Sequence, residues 1–410
     1  MCKKNSFFLY FIGGLVGVLL LFFLTLYVFV PTYRFEDPKP FSGDFINNPY
    51  QNLTNANWNY IDLRNDDIMP TYEYGSGLSS THYLCVNYKS QRKIDYPFLQ
   101  NVHFKQYNIN CLNETSSMVI PTRLDDGFKL REIKYLDNYR LMEVLSPYGD
   151  YFDYWDLALS SGRRVNIVAT DSKSANDEFV NKNVVNADLN DIEQIINSLK
   201  NGDSYAISYL NGNLDLPKLK SLQLTNDTIV VEATKKMKSL RFIGQNCVVK
   251  DSLSDVNQGA YVFKEDDSYI RVEMCFDDET MIYLNPIVRH QFQYFFDPSL
   301  SVMMKERTWL MRIIYVLVVI FFVKYLVFNK KEEVIKKAKE MYERYPLVLC
   351  HNDLLYANCL KTDTKDYLID YEYAGLNIAL FDIVSFLSEN DINDVSKQVE
   401  FIKKYYGKID

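Results

Sequence analysis

Hydrophobic positions along the chain fall into two kinds of pattern, continuous and interrupted. Two runs are continuous: Phe7 to Val30 carries no charge, and Trp309 to Phe328 (WLMRIIYVLVVIFFVKYLVF) carries only Arg312 and Lys324. Twenty helical residues at about 1.5 Å each span roughly 30 Å, the thickness of a hydrocarbon core. The two charges lie near opposite ends of the second run, where long side chains reach water. Both runs are expected to be transmembrane helices. A signal peptide has a shorter apolar region followed by a small-residue cleavage site, and YVFVPTYRF offers no such site.

Between the runs the pattern is interrupted. LMEVL (141 to 145) reads as a strand, YWDLALSSG (154 to 162) as a helix capped by Gly162, and VNIVAT (165 to 170) as the next strand. Ile192, Ile195, Ile196 and Leu199 share one helical face, Asn201-Gly202 ends that helix, and YAISYL follows as a strand. Such alternation argues for a β/α layer or barrel with a parallel sheet. From about Leu214 to Arg289 the texture changes to short β runs: TIVVEA, SLRFIGQ, AYVFKE, YIRVEMCF and TMIYLNPIV, with Asn, Asp and Gly between them. That texture predicts a small antiparallel sandwich. The expected domains are a transmembrane helix over 7–30, a β/α domain over 47–210, a β-sandwich over 211–295, a transmembrane helix over 309–328 and a further segment over 332–410.

Charge adds orientation. Lys305 and Arg307 precede the second run, whereas Lys330, Lys331, Lys336, Lys337, Lys339 and Arg344 follow it. Cytoplasmic flanks are the lysine- and arginine-rich ones, so the expectation is a cell-membrane protein with both termini cytoplasmic and residues 31–308 extracytoplasmic. A net charge of −8 without a basic stripe outside the membrane flanks gives no reason to expect nucleic-acid binding. Cys85, Cys111, Cys247 and Cys275 allow local disulfides, 85 with 111 and 247 with 275, or free buried thiols.

Residues 47 to 209 resemble the membrane-tethered, metal-dependent phosphoesterases of the polymerase and histidinol phosphatase (PHP) superfamily. The resemblance runs through NPYQN, PTYEYG, IDYPFLQNVHFKQYNIN and LMEVLSPYGDYFDYWDLALSSGRRVNIVATDS. It implies a distorted β/α barrel and a cluster of divalent metals that activate water. The copy departs from that pattern at the ligands: Glu73-Tyr74-Gly75 stands for Glu-His-Gly, Val119-Ile120-Pro121 for Ala-His-Pro, and Asp171 lies in the degraded Asn-Asp-Asp-x-His element. Glu73 and Asp171 are the expected leftovers of that site. His82, His103 and His290 fall in no metal-ligand spacing, so a catalytically degenerate module without a cofactor is expected.

The sharpest motif lies after the second run: His351-Asn352-Asp353-x4-Asn358, then Ile369-Asp370-Tyr371-Glu372-Tyr373-Ala374. These residues resemble the choline/ethanolamine kinases and related aminoglycoside phosphotransferases over about Glu332 to Asp410. The resemblance implies ATP and magnesium as cofactors, Asp353 as the catalytic base, Asn358 and Asp370 as magnesium ligands, Glu372 as a contact for a cationic alcohol, and His351 and Asp382 as braces of the catalytic loop. Asn358 and Asp370 are read as lying symmetrically about the turn TDTK at 362 to 365, so a hairpin is expected to bring them to one end. Only Asn329 to Cys350 lie between the apolar run and His351, too few for a nucleotide-covering lobe. The resembled family continues, beyond the position of Lys404-Tyr405-Tyr406, into further helices lining the substrate pocket, and the sequence stops soon after these residues.

The expected fold class is therefore a membrane-anchored α/β protein: an incomplete PHP-like β/α barrel and a small β-sandwich outside, two transmembrane helices, and a partial protein-kinase-like C-lobe inside. Three functions compete. The first is an inactive pairing of a degenerate outside module with a kinase fragment. The second is a choline- or ethanolamine-type phosphotransferase completed by a partner chain that supplies a kinase N-lobe. The third is a metal-dependent phosphoesterase using unexpected ligands.

Overall fold

The computed structural model describes residues 3–51, 56–64, 67–75, 81–93, 100–171, 178–291, 300–344, 347–352, 358–369, 374–378, 380–390, 392 and 394–406. It divides into two compact units, one of residues 19–313 and one of residues 1–18 with 314–410.

Antiparallel sheet dominates residues 19–313. Among the described residues, ten strands form one sheet, with Leu219–Thr225, Thr228–Gly244, Tyr269–Cys275, Met281–Leu284, Ser204–Leu210, Phe179–Asn186 and Trp58–Ile61 in spatial order. Val248–Val262 folds back on Thr228–Gly244, and Ile287–His290 links Tyr269–Cys275 to Phe45–Asn47. A second sheet holds Thr71–Tyr74, His82–Tyr88 and Ser116–Thr122, again antiparallel. A third holds Gly149–Asp150, Leu141–Ser146 and Asn166–Ala169.

This architecture corrects the expected barrel. Parallel pairing occurs in the described residues between Leu141–Ser146 and Asn166–Ala169, across the helix Phe152–Ser160. The crossover is not repeated, because the strand Phe179–Asn186 intervenes and pairs antiparallel with both Ser204–Leu210 and Trp58–Ile61. Its polar face, VNKNVVN, hides it from the hydrophobic pattern. The separate sandwich is corrected too: Ser204–Leu210 pairs with Met281–Leu284, so the sheet runs continuously across the expected boundary. TIVVEA and SLRFIG join in one 17-residue strand with a register shift between Glu232 and Met237.

Local chemistry explains the elements that the pattern does reveal. In the helix Ile192–Asn201, the N-cap Asp191 accepts from Gln194 N at 3.0 Å, and Gly202 closes the C-terminus at φ 90°. Ile195, Ile196 and Leu199 are buried against Leu84, Val168 and Val185. A larger core gathers Trp155, Tyr83, Tyr269 and Leu159, and another packs Phe242, Val231 and Ile282 between the faces of the long sheet. Cys85, Cys111, Cys247 and Cys275 are all free thiols, and burial pushes the Cys85 thiol up to about 11.

Two buried polar side chains cross-link separate elements, Asn285 between sheets and Arg271 from the long sheet to the helix Phe152–Ser160. Asn285 accepts from Ile167 N at 2.8 Å and donates to the carbonyls of Gly202 (3.1 Å) and Ser204 (2.8 Å). Its own N–H donates to the Tyr50 hydroxyl, which in turn donates to Ser204 O. Arg271, 1% exposed, bonds Asp156 Oδ1 at 3.1 Å and Glu273, with its guanidinium 5.1 Å over Trp155.

The membrane expectation is corrected to one candidate among the described residues. Lys305–Tyr325, part of the helix Lys305–Arg344, has a mean hydropathy of 1.8 and is long and apolar enough to cross a bilayer. The helix Lys3–Val28 offers the shorter apolar stretch Gly13–Thr25, roughly 20 Å at about 1.5 Å per residue. The expected run is shortened at its end, where Val30 is buried against Phe104 with Tyr27 and Tyr107 beside it. The side chains of residues 3–12, where that run begins, lie outside the description. Within the smaller unit the two helices approach at Gly17, where a Cβ would stand 2.5 Å from the Phe322 ring.

Replacing Asn285 by alanine takes the side-chain partner from Ile167 N and Gly202 O at about 1 to 3 kcal/mol each, whereas Ser204 O keeps the Tyr50 hydroxyl. Urea unfolding of Asn285→Ala is therefore expected to show a loss of about 2 kcal/mol or more. A loss under about 1 kcal/mol shows that the sheets do not depend on this amide.

Candidate functional site

The kinase-type motif occupies the smaller unit. Leu347–Cys350 pairs antiparallel with Gly375–Ile378, and the loop that begins at His351 leaves the end of this ribbon. Asp382, 8% exposed at the start of the helix Leu380–Glu389, accepts from His351 N through Oδ2 and from Asn352 N through Oδ1, both at 2.8 Å. The His351 ring donates through Nε2 to Ile369 O at 2.8 Å, since a carbonyl can only accept. Asn352 holds a left-handed backbone, φ 63°, a conformation asparagine tolerates, and Asn377 Nδ2 donates to its side chain at 3.1 Å. A Cβ at Gly375 would stand 3.3 Å from Asn352 Nδ2, so the strand carries glycine where the loop turns. Burial, and then the neighbouring Asp382 carboxylate, push the Cys350 thiol up.

The hairpin expected after the loop forms. Cys359–Lys361 pairs with Asp366–Leu368 across a turn in which Thr362 N donates to Lys365 O at 3.0 Å. Its register is symmetric about Thr362 to Lys365, and that symmetry sets Asn358 opposite Ile369, whose N donates to Asn358 O, and not opposite the expected Asp370. Asn358 is buried at the mouth of this hairpin. Asp353, Asp370 and Glu372 lie outside the described residues. On the helix Leu380–Glu389, Ile383, Phe386 and Leu387 are buried, with the Phe386 and Phe401 rings stacked 5.0 Å apart.

The leftover carboxylates of the larger unit have different surroundings. Glu73 on Thr71–Tyr74 faces two guanidiniums, Arg64 and Arg123, each at 3.5 Å. Both also serve Glu143, a fully buried carboxylate on Leu141–Ser146: Arg64 Nη2 bonds Oε1 at 3.0 Å, Arg123 N donates to Oε2 at 2.7 Å, and Thr170 Oγ1 donates to Oε1. Arg123 adopts φ 46° to present its N–H there, and its guanidinium lies 4.3 Å from the centre of the Tyr148 ring. Burial raises the Glu143 pKa, and the bonds from Thr170 and Arg123 and the charge of Arg64 oppose that rise. Asp171 meets Lys182 at 3.6 Å, and Lys182 bonds Asp62 at 3.0 Å.

Thus Glu73 joins a network that the hydrophobic pattern does not announce, although one signal is present: Glu143 is the one charge inside the apolar strand LMEVL. The histidines serve elsewhere. His82 Nε2 lies 3.6 Å from Asp126, with its pKa lowered by burial and then by Arg123. His103 accepts from Tyr33 N at 3.1 Å and stacks on Phe35. No group of three or more His, Cys, Asp or Glu side chains among the described residues could hold a metal ion.

Comparison with known proteins bears on one of these places. Residues 321–409 match the family model for choline/ethanolamine kinase. The C-terminal segment is choline/ethanolamine kinase-like. Protein LicA of Haemophilus influenzae (strain ATCC 51907 / DSM 11121 / KW20 / Rd) is 33% identical over 78 residues, 19% of this chain and 28% of that protein. Ethanolamine kinase of Saccharomyces cerevisiae is 42% identical over 69 residues, 14% of this chain and 13% of that protein. The chain thus spans less than a third of the length of these kinase-like relatives. No solved structure matches. The PHP resemblance has no counterpart among these findings.

Removing Arg64 strips a charge partner from a buried carboxylate, a change that costs on the order of 3 to 5 kcal/mol. The raised pKa means that folded Glu143 keeps its proton to a higher pH than unfolded Glu143, so stability falls as pH rises through that window. Arg64→Ala is expected to widen the window. Thermal unfolding should show a larger loss at pH 7.5 than at pH 4.5, and an equal loss at both would contradict the pairing.

Proposed function

We propose that the C-terminal unit is the catalytic-loop half of a phosphotransferase for choline or a similar amino alcohol, silent in this chain alone and completed by a partner polypeptide carrying a kinase N-lobe. The reading rests on one observation above all: the Asp382 carboxylate caps both His351 N and Asn352 N and so holds the entry to the motif loop in shape. In this reading Asp353 orients the alcohol and accepts its proton, Glu372 meets the cationic head, and Asn358 with Asp370 offers the hard oxygen donors that suit magnesium. Magnesium when bound supplies charge neutralisation across the ATP phosphates.

Silence alone follows from what precedes the loop. Residues 329–350 comprise the end of the helix Lys305–Arg344, residues 345–346 and the strand Leu347–Cys350. They provide no second wall for a nucleotide. Phosphoryl transfer depends almost wholly on positioning and electrostatics, and lost orientation removes on the order of 7 to 11 kcal/mol of barrier lowering, about five to eight decades in rate. The two-stranded ribbon supports the partner. Leu349 and Leu376 stand directly opposite each other and are 74% and 71% exposed, an apolar pair that a covering lobe would bury.

We further propose that Lys305–Tyr325 crosses the cell membrane and that the basic stretch after it is cytoplasmic. The larger unit is then a non-catalytic module, supported by the commitment of Glu73, Glu143 and Asp171 to arginine and lysine. The purified full chain, supplied with magnesium, ATP and choline or ethanolamine, is expected to form no phosphorylated product, and Asp353→Ala is expected to behave identically. Product formed by the wild type and lost in Asp353→Ala would overturn the silent reading.

A further inference from the structure

A two-stranded ribbon stands at the head of the helix Lys305–Arg344. Tyr33–Phe35 pairs antiparallel with Ser301–Met303, which sets Arg34 opposite Val302, and among the described residues this ribbon is a sheet of its own. One face is committed to the fold: Tyr33 is buried, its hydroxyl accepts from Asn110 Nδ2 at 3.3 Å, and Phe35 stacks on His103. The ribbon is tied to the helix as well. Met304 N donates to Thr32 O at 2.8 Å, and Thr32 N donates to the Thr308 hydroxyl at 3.0 Å.

The other face, Arg34 and Val302, is exposed. Val302 is 47% exposed and Met303, at the end of the ribbon, 43%, whereas Phe29 and Trp309 are exposed on either side of Arg312, whose guanidinium lies 5.9 and 5.2 Å from their ring centres. Charge is one-sided here. Residues 29–35 and 300–312 carry Arg34, Lys305, Arg307 and Arg312 against the single acid Glu306, and among the described residues no acid forms an ion pair with Arg34, Lys305 or Arg307. Exposed apolar groups beside unneutralised cations suit a lipid surface, whose phosphates are anionic and whose acyl boundary is apolar.

Length places the ribbon at that surface. Trp309 to Phe328 is a run of 20 residues, roughly 30 Å of helix at about 1.5 Å each, which fills a hydrocarbon core. Lys305, four residues earlier, then stands about 6 Å outside it, among the headgroups. Val302 follows within three extended residues, about 10 Å of chain.

We propose that this ribbon rests in the phospholipid headgroup layer, with Val302 and Met303 at the acyl boundary and Arg34, Lys305 and Arg307 on the phosphates. The proposal rests on the reading that Lys305–Tyr325 crosses the membrane. Such seating holds the larger unit to the lipid surface through more than the helix alone.

The test is photocrosslinking of the full chain in nanodiscs of phosphatidylcholine and phosphatidylglycerol, with p-benzoylphenylalanine placed at Val302, Met303, Leu317 or Val248 in turn and lipid adducts read by mass spectrometry. Leu317 lies within Lys305–Tyr325 and reports the crossing, while Val248, 52% exposed on the strand Val248–Val262, reports chance encounter. Lipid adducts are expected at 302 and 303 as well as at 317, with none above the unirradiated background at 248. Adduct at 317 without adduct at 302 or 303 would overturn the seating of the ribbon and leave the crossing intact. No adduct at 317 would remove the crossing and the proposal with it. Adduct at 248 equal to that at 302 would trace the contact to exposure alone and likewise overturn the proposal.

Discussion

A carboxylate taken out of water must find partners, and the way this protein supplies them determines what each acid can do. Desolvating an isolated carboxylate costs several kcal/mol or more. Glu143 is held by Arg64, Arg123 N and Thr170; Asp156 and Glu273 share Arg271; Asp382 is capped by two backbone N–H groups. In the larger unit each of these acids has a guanidinium among its partners, Arg64 for Glu143 and Arg271 for Asp156 and Glu273. Those acids are paired within the fold. In the smaller unit the partner is backbone, so Asp382 fixes the start of the motif at His351 and Asn352.

That contrast explains why two resemblances in one sequence fare differently. The motif from His351 to Ala374 is short and local, and its frame depends on residues within it and on one helix start. Its histidine, its asparagines and its hairpin turn are all legible in the amino-acid sequence. So is the register: equal steps outward from Thr362 and Lys365 pair Asn358 with Ile369, as the ladder does, and the expected partner Asp370 stands one residue too far.

The larger unit depends on non-local pairing, and there the pattern misleads. Strand existence is legible for LMEVL, YAISYL and YIRVEM because apolar periodicity is a local signal. Pairing partners are not. Phe179–Asn186 is polar enough on one face to escape notice, yet its insertion converts an expected parallel series into an antiparallel sheet. Glu143 and Arg64 are 79 residues apart, so no spacing rule announces their ion pair. Likewise the run ending at Val30 is legible as apolar, but its burial against Phe104 is not.

In the proposed reading the smaller unit, kinase-like in sequence, holds no nucleotide without a partner chain. Titration of the purified full chain with magnesium-ATP tests this most directly. No saturable binding up to millimolar nucleotide is predicted for the chain alone. Stoichiometric binding in the micromolar range, lost in Asp370→Ala, would contradict it.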